Sequence, residues 1–335
     1  PVSAAETGQL TNPPTSTEEL SSPESISGNE AASALNGLSV LAANGEAEVT
    51  TASELTGALA DSSISRITLK GDIDIGSTLT VNRTVTLDLN GCVLKMTGSD
   101  SVIKVEADGD LTIQDRNTTT QHKFNPHCKY LTWYIDMWEL DNGGSEIVSG
   151  GVITGGGGDQ SNGGGVLVAG GTLVMAGGSI VGCSAMSRGG GVCNNGTFIM
   201  SDGMIKGCTS PDGQYASGGG VRNSNQFTMT GGMIGDPDNE NDASHVYNTS
   251  SQETTLTISG NAKIYTDITN VGILNADGGE IAGTMTNDTN RYGTGTITGS
   301  EGAAGSTKFQ DKVTNNGTIR KGTFTNEVIN ESSGT

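Results

Sequence analysis

Cations are scarce in this chain. Its 335 residues hold 17 Lys and Arg against 37 Asp and Glu, a net charge of −20 with a pI near 4.3. Such a surface repels phosphate backbones and anionic lipid headgroups, so nucleic acid is not an expected partner. No stretch approaches the roughly 18 uninterrupted apolar residues of a membrane-spanning helix, so membrane insertion is not expected either. Proline is rare, at 7 residues, and the 52 glycines follow no Gly-X-Y period, which excludes collagen. The five cysteines are an odd number and no two stand at Cys-x-x-Cys spacing, which argues against a dense disulfide framework and a structural zinc site. Aromatics make up only 4% of the chain. The chain opens on Pro1 without Met, and the expectation is an exported protein whose signal has been removed.

What remains is Gly, Ser, Thr and Asn arranged in repeats. GGGV begins at Gly163, Gly189 and Gly218, at intervals of 26 and 29 residues. Leu173-Val174-Met175 aligns with Phe198-Ile199-Met200, Phe227-Thr228-Met229 and Leu256-Thr257-Ile258. The outer members are apolar and the middle one drifts to Thr, which is a strand with one face inward. After a glycine turn, a second inward residue recurs as Ile180, Ile205, Ile234 and Ile264. A third short segment ends on Asn194, Asn223, Asn248 and Asn275, at spacings of 29, 25 and 27, with Asn315 as a candidate continuation. Units of about 25 residues, each with three short strands, cannot bury their apolar side chains alone; stacking them does. The expected fold is all-β, a single-stranded parallel β-helix in which the Asn residues form a ladder and glycines supply left-handed corners. Some eleven coils fit between about 67 and 330, a rod of roughly 50 Å.

Residues 1–48 are acidic and rich in Ser, Thr, Glu and Ala, and read as a flexible or loosely ordered arm. The β-helix domain is expected over 49–335. It opens with TASELTGALA (51–60), a short amphipathic helix with Ser53 as candidate cap and Leu55, Ala58 and Leu59 at helical spacing. Such a helix suits the end of a solenoid, where an open strand edge has to be hidden.

The repeat GGVCNNGTFIMSDGMIKG (Gly190 to Gly207), together with TVTLDLNGCVLKM (84–96), resembles the right-handed parallel β-helix, pectate-lyase-like proteins of Gram-positive surfaces, especially those of gut commensals. The resemblance covers about residues 50–330. It implies a right-handed helix and an adhesin-like protein that is secreted or attached to the cell wall. The motif is made of folding residues and names no active site.

Four features are candidates for chemistry beyond the stacking of the repeat. The segment QHKFNPHCKYLTWYIDMWEL (121–140), inside an insertion at about 116–145, holds both tryptophans of the chain. Phe124, Tyr130, Trp133, Tyr134 and Trp138 are the candidate ligand-binding residues, since exposed rings stack on sugars or anchor partners. The alternative is that the rings fold back onto the coils as a local core. His122, His127 and Cys128 lie in the same segment but lack a fourth ligand for a metal. Asp236, Asp238, Glu240 and Asp242 alternate oxygen side chains as Ca²⁺ prefers, although the Gly and distal Glu of an EF-hand loop are missing; the alternative is a solvated acidic turn. No other cofactor is implied. Cys183 and Cys208 fall at equivalent repeat positions, where stacked strands would allow either a disulfide or two packed thiols.

Two functions follow. The first is a non-catalytic adhesin-like protein, expected to be a monomer, that binds host or environmental glycan or glycoprotein through the inserted loop or a lateral face. The second is a polysaccharide lyase or glycoside hydrolase on the same scaffold. The sequence has no Asp-Asp pair in a repeat strand, no Gly-His-Gly and no Arg-x-Lys, which favours the first.

Overall fold

The computed structural model describes residues 45–129, 136–157, 162–210, 218–239, 242–249, 253–290, 293–299, 306–331 and 334, the side chains of 127–129 and 136–137 excepted. From Gly45 onward the chain is a parallel β-helix. Each coil lays down three short strands on three faces, and each strand pairs in parallel with its counterparts in neighbouring coils.

The first face runs from Glu46–Val49 through Arg66–Leu69, Thr84–Asp88 and Asp110–Gln114 to Thr318–Ile319, eleven rungs among the described residues. Its first rung, Glu46–Val49, takes in the end of the segment read from sequence as an arm. The second face runs from Ile73–Ile75 to Thr323–Phe324 and joins the first in one 19-stranded sheet. The third is a 10-stranded sheet from Leu79–Val81 to Val328–Asn330.

The register places like on like. On the first face Leu111, Leu173, Phe198, Phe227, Leu256 and Leu274 stack in one inward column, and Ile113, Met175, Met200, Met229, Ile258 and Ala276 in the next. Ile153, Ile180, Ile205, Ile234, Ile264 and Ile281 line the second face. All are buried, and each large side chain removed from water contributes about 1.5–3 kcal/mol. The Phe198 and Phe227 rings stack with centroids 4.5 Å apart and planes 9° from parallel. Glycine is required at the corner between the first two faces: Gly203 has φ +93, and a Cβ there would lie 2.6 Å from the carbonyl of Gly178.

The third face carries the asparagine ladder. Asn194 Nδ2 donates to Asn223 Oδ1 at 2.8 Å, Asn223 to Asn248 at 2.8 Å, and Asn248 to Asn270 at 2.7 Å. The series continues from Asn270 through Asn287 and Asn315 to Asn330. Asn275 is a correction: it lies on the first face, opposite Thr257 and Thr298, and its amide donates to Thr257 Oγ1 at 3.2 Å. The physical reason is a shortened coil. Only residues 265–267 separate the second face from the third here, where the preceding coils use long loops. The ladder interval therefore falls from 29 and 25 to 22 and 17 residues, and Asn270 takes the place expected for Asn275.

The helix Ala52–Ala60 closes the start of the core with Leu55, Ala58 and Leu59 buried. Its N-cap is Thr51, not Ser53: the Thr51 hydroxyl accepts from Glu54 N–H while the Glu54 carboxylate accepts from Thr51 N–H, a reciprocal capping box. Arg83 fastens the other end, its guanidinium donating to the carbonyls of Ala58, Leu59 and Ile64.

Asn223→Ala leaves the Asn194 donor and the Asn248 acceptor unmatched in a buried column. It is expected to lower stability by about 2–3 kcal/mol, read as a shift of the urea midpoint, while Asn275→Ala on the outer surface costs under about 1 kcal/mol.

Candidate functional site: an inserted sheet over the second face

The repeats are interrupted by an antiparallel sheet between the first coils and the rest, larger than the two-stranded pair of Thr289–Asn290 and Gly293–Thr294. Between Gln114 of the first face and Val152 of the second, the chain forms a three-stranded antiparallel sheet of Gln121–Lys129, Asp136–Leu140 and Glu146–Ser149, with Gln121–Lys129 in the middle. Asp115 pins its base. Its Oδ1 accepts from Gly91 N–H of the preceding coil at 2.7 Å and its Oδ2 from Gly151 N–H at the insert's exit at 2.8 Å. His122 Nε2 lies 3.0 Å from the Gly91 carbonyl, a structural contact.

The insert folds back on the helix. Val152 and Val181 sit on the outer side of the second face, where a regular coil would leave them wet. Here both are buried with Phe124, Trp138 and Val148, and Leu140 packs at the edge. Phe124 and Trp138 meet at a centroid distance of 6.4 Å, tilted by 43°. Trp138 is 2% exposed and Phe124 fully buried, so neither presents a ring to a ligand. Of the candidate binding aromatics these two are corrected to packing residues. Tyr130, Trp133 and Tyr134 lie outside the described residues, as do the side chains of His127 and Cys128.

Trp138 depends on glycine beneath it. Gly207 has φ +60, and a Cβ there would overlap the indole. Trp138 N–H donates to the Gly207 carbonyl at 3.3 Å, which joins the insert to the coil. Lys206, the last residue of Thr197–Lys206, places its ammonium 4.3 Å from the indole centroid and 3.2 Å from Asp236 Oδ2 of the next coil. Both members of this ion pair are more than nine-tenths buried.

The acidic loop is therefore engaged by its own chain. Asp236 takes Lys206 on one oxygen and the Asp238 N–H on the other at 3.0 Å. Asp242, also buried, accepts from Gly207 N–H at 3.1 Å and Ser244 N–H at 2.9 Å. Desolvation pushes the Asp242 carboxyl above its ordinary range; its hydrogen bonds to Ser244 and Gly207 pull the other way, and the Asp236 charge adds to the rise. Glu240 lies outside the described residues. Among the described residues no group of three or more His, Cys, Asp and Glu is placed to hold a metal ion. Asp236 and Asp242 are thus buried in contacts with their own chain.

Cys183 and Cys208 occupy stacked, fully buried positions and are free thiols in this structure. Their Sγ atoms point at the carbonyls of Ile153 and Ile180, respectively, at 3.9 and 3.6 Å.

Beside the Trp138 cluster, a groove of about 450 Å³ opens between insert and helix. Gly155, Gly156, Gly157 and Gly182 are among its lining residues. Lys95, Thr97, Thr154 and Ser184 line one side and Glu139 and Leu140 the other, with Trp138 closing the end. The groove joins one cation, one anion and hydroxyls to the apolar Met96, Trp138 and Leu140. That is a surface of mixed character, with side chains able to hydrogen-bond a hydroxylated ligand.

Two measurements bear on this region. Trp138→Ala is expected to cost about 3–5 kcal/mol locally, seen as faster proteolysis within 121–149 while the coils keep their circular dichroism. For Asp242 the folded-state pKa is raised, so the native state binds its proton more tightly than the unfolded chain does. The resulting stabilisation is present below the ordinary value of 3.8 and lost as pH rises through the raised folded value. Asp242→Asn is expected to remove that decline, so its stability relative to the parent improves from pH 4 towards neutrality, measured by urea unfolding at each pH.

Residues 46–149, which include the capping helix, the first coils and the insert, match the family described as "Putative pectate lyase-like adhesive domain". No curated protein and no solved structure matches the chain. Over those residues the chain is similar to an adhesive domain on a pectate-lyase-like fold, in agreement with the parallel β-helix described above.

Proposed function

We propose that this protein is a non-catalytic, adhesin-like protein of the bacterial cell surface or its surroundings, which binds glycan or glycoprotein at the groove between the inserted sheet and the second face. The observation that carries this reading is the position of the insert. It belongs to the segment similar to an adhesive domain, and it is the element that breaks the repeat to build a concave surface on an otherwise regular face. The lining suits sugars: hydroxyls, with the Lys95 and Glu139 side chains to orient a polar ring or its substituents. Trp133 and Tyr134 of the same insert remain candidates for stacking on it. The repeat resemblance points to a Gram-positive source, such as a gut commensal, and to a chain that is secreted or held in the cell wall.

The test is a glycan and host-glycoprotein array probed with the parent and with Lys95→Ala, Glu139→Ala and Trp133→Ala. Loss of a charge-assisted contact is expected to weaken binding about tenfold or more for the groove variants, with unchanged thermal unfolding. Binding that survives all three substitutions would move the site to another face. Release of shortened products from a bound polysaccharide would overturn the non-catalytic reading.

A further inference from the structure

The ion pair beneath Trp138 is an unusual thing to bury. An ammonium and a carboxylate taken out of water lose several kcal/mol of hydration each, and one contact at 3.2 Å seldom restores it. Lys206 and Asp236 are 8% and 6% exposed, with an indole over the ammonium. Lys206 Nζ lies 3.2 Å from Oδ2 of the carboxyl whose carbon it would attack, so the two groups are held together in a dry site before any bond forms. The register holds them there: Ile205 pairs with Ile234, so Lys206 and Asp236 leave adjacent rungs side by side.

We propose that Lys206 and Asp236 form an intramolecular amide cross-link, Lys206 Nζ bonding to Asp236 Cγ with release of one water. Within the pair, a proton passes from the ammonium to the carboxylate, giving a neutral amine and a carboxylic acid. The amine lone pair attacks Cγ. One N–H proton moves to the departing hydroxyl, the C–O bond breaks, and water leaves. The sum is ammonium plus carboxylate to amide plus water, with no oxidant, metal or activated donor. The product is neutral, which removes the cost of burying two charges. Trp138 and the insert cover the bond and keep water from reversing it.

Asp242 supplies the proton relay. Its carboxyl is bonded to the N–H of Gly207, next to Lys206, and it feels the charge of Asp236. Burial favours its protonated form, so it can lend a proton to the tetrahedral intermediate and recover it. The link closes a loop of 30 residues and bolts one coil to the next at the place where the insert is seated. It is independent of which ligand the groove binds.

The test is mass spectrometry of the full, folded chain. The expected intact mass is one water below that of the sequence, and protease digestion yields a branched peptide joining the Lys206 and Asp236 segments. Lys206→Arg and Asp236→Ala are expected to restore the full mass. Asp236→Asn is expected to form the same link with loss of ammonia, and Asp242→Asn to accumulate unlinked chain. The Asp202-Gly203 sequence can also lose water by cyclising on itself. A water loss that persists in Lys206→Arg, or a cooperatively folded parent whose Lys206 and Asp236 peptides separate freely, overturns the proposal. Full linkage in Asp242→Asn overturns the relay.

Discussion

Each coil of this protein can bury its apolar side chains only against the coils above and below, and the whole structure rests on that dependence. A strand with two inward residues has no core of its own. Stacked in register, Leu on Phe on Phe and Ile on Ile, the same residues make a continuous interior. The Asn column obeys the same rule in polar form. A buried amide is tolerable only when its donors and acceptors are met, and the equivalent amide of the next coil meets them. The capping helix and Arg83 follow as consequences, because a stack of identical rungs has to end somewhere.

The insert shows what happens where the repeat is interrupted. Val152 and Val181 would be an exposed apolar patch on an outer face; Phe124, Trp138 and Val148 cover it. That burial draws in the glycines that leave room for the indole, and with them Lys206 and Asp236. The buried Lys206–Asp236 pair therefore lies where the antiparallel insert packs on the coils. A groove forms as the remainder, between an antiparallel sheet and a parallel one whose outlines do not match.

Fold and function separate here in a physical sense. The repeat residues are committed to stacking and corners and have no chemistry to spare. A binding surface has to come from residues the stack does not need, such as Lys95 and Glu139 on outward positions. The similarity to an adhesive domain ends at residue 149, while the groove also uses residues beyond it, so the surface joins the insert to coils further along the chain.

Much of this was legible in the sequence alone. The alternation around Leu173, Phe198, Phe227 and Leu256, the recurring Ile and the asparagines at 194, 223 and 248 specify a stacked parallel solenoid, because a period-two strand repeated at nearly constant interval has one way to bury itself. The misplacement of Asn275 marks the limit. Equivalence between coils is set by hydrogen-bond register, and a shortened loop moves the register by five residues without changing the local pattern, since Ile-Thr-Asn at 268–270 and Ile-Leu-Asn at 273–275 look alike. The cap was likewise settled by contact: Thr51 and Ser53 are both capping residues, and only the reciprocal bond with Glu54 selects Thr51. The aromatic insert was visible as an interruption, but whether Trp138 and Phe124 face solvent or a valine pair lay with tertiary structure. Their partners are Val181 and Gly207, dozens of residues away, and burial is a property of both surfaces. The same holds for Lys206 and Asp236, two ordinary charges in the sequence that become one buried pair when the coils stack.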